Sequence, residues 1–376
     1  MGNEFITIKN IARQILPRLI ENLVFPNLIH KDYSDTYVNG LGATIQVKKP
    51  VILEAKEFDE TVGTTAQDVK EQSVEVTLDK LATVDVEFGA IQRATNVDDL
   101  NRLFLEPAAV ALAQKINSDG LFLYKDIPYI SGTAGTTPSV LADIANVRKV
   151  LNENKVPVAG RRAVWDTEAD AKFTTIEAIV NAEKSGSTQA LREGSIGRIF
   201  GLDNYMSQEV KNHVKGTLAA GGTGGKITVK TAVATAAKQI VLDVTASSGG
   251  TLTGTLVKGD ILTIDGKTYT VTKNATAADN EITVDIYPAI VVAADEEVTV
   301  VGSHTANLAF NPNAFAFVTR PLIAPAGVES YVTSYNGVTL RVVRGYNMQF
   351  KKEMLSMDVL YGYKTMYEEL AARVLG

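Results

Sequence analysis

VDDLNRLFLEPAAVALAQKINSDGLFLYKD, residues 97–126, is the stretch on which the reading of this chain turns. Asn96 can cap its start, and Asp98 and Asp99 fall in the first turn, where the helix dipole favours anions. Leu100, Leu103, Phe104, Pro107, Ala108, Ala111, Leu112 and Ile116 follow at i, i+3, i+4 spacing and draw one apolar stripe. Pro107 lacks a backbone N–H, so it either kinks this helix or restarts it in a first turn. A continuous helix would be roughly 45 Å long, well beyond the usual ~11–12 residues. The spacing predicts a central core helix around which the other elements are arranged.

Upstream, residues 8–25 read IKNIARQILPRLIENLVF. Ile8, Ile11, Ile15, Leu19 and Leu23 share one helical face, Leu16 and Ile20 widen it, and Pro17 is expected to kink it. Lys9, Arg13 and Arg18 make the segment basic. It is either core or an arm that docks on another subunit or partner.

Between residues 42 and 88 the period changes to two. Val74, Val76 and Leu78 alternate with Glu75, Thr77 and Asp79, and ATIQVKKPVIL and TVDVEFGA alternate likewise. The connector between them is polar and acidic, with Glu54, Glu57, Asp59, Glu60, Asp68 and Glu71. The pattern reads as an extended β-hairpin with a long tip; a two-stranded ribbon is marginal alone and gains from lying on a neighbouring chain. Two ordinary sheet strands joined by a surface loop are the other reading.

Downstream, SGTAGTTPS (131–139) is a linker, and Val140, Ile144, Val147 and Leu151 mark a helix. RRAVW (161–165) reads as a short buried strand, with Asp166 capping the next helix. Glycines in LREGSIGRIFGLDNYMSQEV (191–210) separate two short strands. GTLAAGGTGG (216–225) has linker composition. The following ~75 residues are rich in Thr, Val and Ile, with strand candidates at 227–233, 239–244, 260–264, 268–272, 281–286 and 297–301. Asp265-Gly266 between ILTI and TYTV is the strongest hairpin signal in the chain. A small antiparallel barrel or sandwich inserted into α/β sequence follows, with its two ends close together. The tail, GVTLRVVRGYN (337–347) and MLSMDVLYGYKTMYEEL (354–370), returns to strands.

Composition limits the chemistry. The 376 residues carry a net charge of −6, 45% hydrophobic and 21% charged residues, three histidines and no cysteine. This balance disfavours a nucleic-acid-coating surface and excludes thiolate catalysis and Cys-ligated zinc. The start of the sequence lacks a secretory signal and a myristoylation pattern, and no apolar run approaches the ~18 residues of a membrane span. A chain made in the cytoplasm and soluble there is expected. His30, His213 and His304 form no metal motif, although His213 and His304 flank the β-rich segment and can meet in space. The glycine run before Lys226 lacks the Walker pattern, having Ile227 after the lysine, and reads as a hinge. Asp279, Glu281 and Asp285 are spaced too loosely for a calcium loop. No GxSxG elbow or tuned carboxylate pair is present. No catalytic, cofactor or metal site is expected.

PAAVALAQKINSDGLFLYKDI (107–127), LREGSIGRIFGLDNYMSQEV (191–210) and AFAFVTRPL (314–322), in this order of elements, resemble the HK97-fold major capsid proteins of tailed bacteriophages. The inserted β segment resembles that of the P22-type coat proteins. The resemblance implies an α+β, HK97-like fold. Residues 1–33 would be the N-arm and 34–90 the E-loop with flanking P-domain strands. The spine helix of the P-domain would be 91–134, the A-domain 135–215 and 304–329, the inserted β-domain 216–303, and the C-terminal P-domain strands 330–376. It implies a homo-oligomer of hundreds of copies in hexamers and pentamers, a scaffolding protein and portal as partners, weak non-specific contact with packaged DNA, and no membrane. The virion, assembled in the host cytoplasm, would be its location. Ile8, Ile11, Ile15, Leu19, Leu23, Arg13, Arg18, Glu57, Asp59 and Glu60 are the expected assembly contacts. An encapsulin-like compartment shell and an enzyme with a β-barrel accessory domain are the alternatives.

Overall fold

The described part of the central helix opens beside a proline. The computed structural model describes residues 8–31, 44–48, 73–89, 105–181, 192–348 and 352–376. The helix runs Glu106–Leu121, about 24 Å at ~1.5 Å per residue. It hands over to a tighter 3-10 turn, Phe122–Asp126. Pro107 is the second residue of this described helix. The residues immediately before Leu105 lie outside the described residues, so the proline stands near the start of the described helix. Ala108, Ala109, Leu112, Ala113 and Ile116 are buried, continuing a series from Leu105. Pro107 and Ala111 of the expected stripe are exposed, because they lie a step off that series. Asn96, Leu100, Leu103 and Phe104 lie outside the described residues.

The chain divides into two compact units. The first comprises Met1–Asn22, His30–Ala113 and Phe315–Met366. Its antiparallel sheet runs in the order Phe315–Arg320, Lys352–Thr365, Val338–Asn347, Glu329–Tyr335, and Lys80–Gly89 also pairs with Lys352–Thr365. Val338, Leu340 and Val342 are buried at every second position, as are Leu355, Met357, Val359 and Tyr361. Asn336 and Gly337, both at positive φ, make the tight turn between Tyr335 and Val338. Arg341 lies opposite Asp358 in register and donates to it through Nε (3.0 Å) and Nη2 (2.5 Å). The helix Ile8–Asn22, with Pro17 inside it, packs on Glu329–Tyr335 and Val338–Asn347. Thr44–Lys48 pairs antiparallel with Ser73–Thr77. There Val76 and Leu78 are buried while Glu75, Thr77 and Asp79 are exposed. The hairpin tip lies outside the described residues.

The second unit comprises Leu23–Ile29, Gln114–Ala314 and Tyr367–Gly376. Its mixed sheet has the order Ile130–Ser131, Ala371–Leu375, His304–Phe310, Arg162–Trp165, Leu202–Met206, Arg198–Ile199, with Asn212–His213 also on His304–Phe310. Trp165 meets Phe173 edge to face at 4.9 Å between centroids, under Ile144, Val147 and Leu151 of the helix Leu141–Glu153. The Asp143 carboxylate accepts from the N–H groups of Ser139 and Val140 and fixes that helix's start. Val140 therefore precedes the helix and stands exposed, not on its apolar stripe. Asp166 accepts from the Glu168 N–H at 3.1 Å and caps Thr167–Phe173. Two expected boundaries move. Phe315–Arg320 pairs with Lys352–Thr365, and Ala371–Leu375 pairs with His304–Phe310 and Ile130–Ser131.

In the same unit, six antiparallel strands follow the order Lys226–Val229, Val233–Thr245, Ile282–Val292, Lys267–Val271, Ile261–Ile264, Val298–Val300. Thr228 bridges to Glu297, which joins the first strand to the last and closes the sheet on itself. Its interior holds Val229, Ile240, Leu242, Leu262, Ile264, Val271, Ile282, Val284, Ile286 and Val298. The glycine run read as a linker and hinge is instead strand Ala219–Thr223, paired with Ser248–Thr253. Here the glycines serve close backbone approach. A Cβ on Gly222, at φ +94°, would lie 2.7 Å from the Ser248 carbonyl oxygen.

Candidate functional site

The expected contact residues separate by burial. Ile15, Leu19 and Leu23 are buried and Ile11 is half-buried. For Ile15 and Leu19 the cover is the chain's own sheet, on which the helix Ile8–Asn22 packs. Arg13 is exposed, and Arg18 Nη1 lies 2.6 Å from Glu106 Oε1 in an exposed ion pair. Ile15 and Leu19 thus find their cover within the chain, Arg13 and Arg18 lie exposed, and the Ile8 side chain lies outside what is described. Glu57, Asp59 and Glu60 lie outside the described residues.

The histidines flanking the β-rich segment do meet. Asn212–His213 pairs with the start of His304–Phe310, so His304 stands directly opposite His213 with ring centroids 5.3 Å apart. The Lys215 N–H donates to Ser303 Oγ at 3.1 Å, which brings the two ends of the segment together. Both rings are 3% exposed.

His213 Nε2 is 2.9 Å from Asp260 Oδ1 and Nδ1 is 3.1 Å from the Tyr124 hydroxyl. A carboxylate only accepts, so Nε2 donates to Asp260, and in the neutral ring Nδ1 accepts from Tyr124. Asp260 is fully buried and accepts as well from the Gly216 N–H (3.1 Å) and the Val257 N–H (2.8 Å). Arg373, also fully buried, donates from Nη1 to the Gly259 carbonyl at 2.8 Å and from Nη2 to those of Tyr124 and Ile127. Its guanidinium lies 4.9 Å from the Tyr124 ring centroid. His304 Nδ1 donates to the Gly302 carbonyl at 2.8 Å, while His304 Nε2 and Arg373 Nε have no hydrogen-bond partner among the described residues.

Burial governs the protonation of this cluster. It pushes His304 down to about 4, reinforced by Arg373 and His213 and opposed by the Gly302 carbonyl and Asp260. Burial likewise lowers Arg373 to about 10 and raises the Tyr124 hydroxyl. Around the cluster, Lys258 pairs with Asp126 at 2.9 Å and Thr270 Oγ1 donates to the Lys125 carbonyl at 2.8 Å. Two glycines admit the chain here. A Cβ on Gly216 would fall 2.1 Å from the Thr255 carbonyl oxygen, and one on Gly259 2.8 Å from Lys125 Cγ. A second tie lies further out, where Tyr287 donates to Glu369 Oε1 at 2.6 Å; burial and this hydrogen bond raise that phenol.

Tyr124, His213 and Asp260 have the parts of a proton relay. Every member is buried, so no substrate reaches them, and what the arrangement does is hold. No group of three metal-ligating side chains occurs among the described residues. Sequence reasoning brought His213 and His304 together but missed Tyr124, Asp260 and Arg373. Their one legible signal was Gly259-Asp260, a turn glycine before a charged residue at the start of an apolar strand.

No family model matches the sequence, and no curated protein matches it. Solved structures do match. One from Mycobacterium phage Che8 aligns with a TM-score of 0.52 at 15% identity, covering 94% of this chain and 90% of that one. The capsid structure of cyanophage P-SCSP1u aligns at 0.48 and 12% identity, covering 94% and 88%. The capsid of Ralstonia phage GP4 aligns at 0.46 and 11% identity, covering 92% and 86%. Across 94% of its length this chain has the fold of the Mycobacterium phage Che8 structure.

Proposed function

We propose that the chain is the major capsid protein of a tailed bacteriophage or prophage, assembling in many copies into an icosahedral shell around double-stranded DNA. The observation that carries this reading is the fold shared with a phage structure over nearly the whole chain, at a TM-score of 0.52. The HK97-like sequence motifs support it independently. In its terms, Thr44–Lys48 and Ser73–Thr77 are the base of the E-loop, Glu106–Leu121 is the described part of the spine helix, and the closed β-sheet is the inserted domain. The net charge of −6 suits a wall to which packaged DNA should not adhere. Hexamers and pentamers of this chain, a scaffolding protein and a portal are its partners under this reading. Arg13 and the exposed Arg18–Glu106 pair are the outward groups of the N-terminal helix for such contacts.

Negative-stain electron microscopy of the purified chain, with and without co-expressed neighbouring phage genes, tests this. Closed shells of uniform diameter are expected. A protein that stays monomeric under every assembly condition refutes the reading and returns the enzyme alternative. Shells that form but package a cellular cargo protein instead of DNA favour a compartment.

A further inference from the structure

We propose that the His213–His304 pair is an acid-operated latch: with His304 neutral it fastens the 216–303 segment to the mixed sheet, and protonation of His304 loosens that fastening. The inference rests on the geometry of the second unit and stands whether or not the chain builds a shell.

Five stretches of chain converge on the pair. They bring Tyr124, His213, Gly259 with Asp260, His304 and Arg373. His213 faces Tyr124, Asp260 and His304; His304 faces His213 and Arg373, with Asp260 beyond. Asp126 stands near Arg373 and is itself paired with Lys258, and Lys125 lies 6.0 Å over the Tyr124 ring. Arg373 and Asp260 are buried beside the two rings. Protonating His304 adds a buried cation against the charge of Arg373, which the interior does not tolerate.

The two rings are not equivalent. Every nitrogen of neutral His213 has a partner, and a further proton on Nδ1 would meet a Tyr124 oxygen able to accept it. Among the described residues His304 Nε2 has no partner, so a proton arriving there finds nothing described to bond, and the charge of Arg373 acts against it. His304 is therefore the group that opens the latch. Its folded value, about 4, lies below the ordinary 6.5. A base so depressed leaves the closed form fully stable above the ordinary value. That stability is lost as pH falls from 6.5 towards 4, because the open form then binds one more proton. One proton of difference makes the closing equilibrium fall about tenfold per pH unit in that window.

Hydrogen exchange on the full chain from pH 7.5 to 4, corrected for intrinsic rates, tests this. Peptides spanning 212–218, 256–262 and 300–306 should lose protection about tenfold per pH unit below the ordinary histidine value, while peptides around Trp165 hold theirs. In His304→Gln, whose amide can still donate to the Gly302 carbonyl, that slope should flatten. If Gln at this position opens the neck, meaning the stretches 212–218, 256–262 and 300–306 around the histidine pair, at pH 7.5, His304→Phe, which keeps a ring and cannot titrate, replaces it. A wild-type neck protected down to pH 4 overturns the proposal. So does an unchanged slope in the variants, which would place the titration on His213 or the carboxylates, or a neck open at pH 7.5 in both.

Discussion

Two sheets of the second unit solve the same burial problem with different chemistry. The closed sheet between residues 226 and 300 is filled by aliphatic side chains with one aromatic, Tyr269, and its hairpin Ile261–Ile264/Lys267–Val271 pairs strands two residues apart. The mixed sheet is built around Trp165 and Phe173, and its central partners, Leu308 with Val164 and Ala309 with Ala372, come from distant parts of the chain. Local pairing costs little loop-closure entropy, so short alternating runs specify the closed sheet. Distant pairing needs a large shared anchor, which here is one indole. The difference predicts that the closed sheet depends on many small contributions and the mixed sheet on few large ones.

The largest expected effect breaks the second half of that comparison. Trp165 is the only tryptophan, is fully buried, and donates from Nε1 to Asn204 Oδ1 at 2.9 Å. Replacing it with alanine removes the ring set edge to face against Phe173 and leaves Asn204 short of a donor. A loss of about 4 kcal/mol is expected. Urea unfolding followed by circular dichroism measures it, and wild-type indole fluorescence assigns the affected transition to the mixed sheet. A loss below about 1 kcal/mol would mean that the sheet does not hang on this anchor.

What was legible in the sequence follows the same division. Asp265-Gly266 announced its hairpin because an I′ turn needs two residues at positive φ, and both have it. Asp166 announced a helix cap for an equally local reason. The strand candidates of the closed sheet fell on observed strands, since alternation is a property of neighbours, although Val233–Thr245 starts six residues earlier and Ile282–Val292 ends six later than expected. Ala219–Thr223 was read as a linker because glycine composition looks the same whether the chain is loose or pressed against another backbone. Arg373 was invisible. Its partners, the carbonyls of Tyr124, Ile127 and Gly259, carry no side-chain signal and lie more than a hundred residues away. The N-terminal stripe was legible as a face, but its spacing does not say whether the covering surface is another chain or the same one.

A smaller effect sharpens the first half. Leu262 is fully buried in the closed sheet, opposite Tyr269 on one neighbouring strand and Val300 on the other. Leu262→Ala should cost on the order of 3 kcal/mol, set by how far the aliphatic neighbours relax into the space. If the two sheets are separate cores, the loss shows as earlier exchange of amides in Ile282–Val292 and Val298–Val300 while the Trp165 emission midpoint stays put. A parallel shift in that midpoint would mean the buried cluster at the neck makes the two sheets unfold as one.

The smallest effect isolates the backbone term alone. Gly266 has φ +70° and no atom within 4 Å of where a Cβ would stand, so alanine there meets no obstacle. The only cost of Gly266→Ala is holding an L-residue in the left-handed region, about 1 kcal/mol. Gly216→Ala is the matching control, because its Cβ would lie 2.1 Å from a carbonyl oxygen and the backbone must move. Gly266→Ala should lower the stability of the closed sheet by about 1 kcal/mol, keep its exchange pattern and leave the neck protected. Gly216→Ala should expose the amides around Asp260 first. Should Gly266→Ala disturb the neck as much as Gly216→Ala does, the turn is not a local element. The claim that this sheet is specified by its own short hairpins would then fail at its clearest instance.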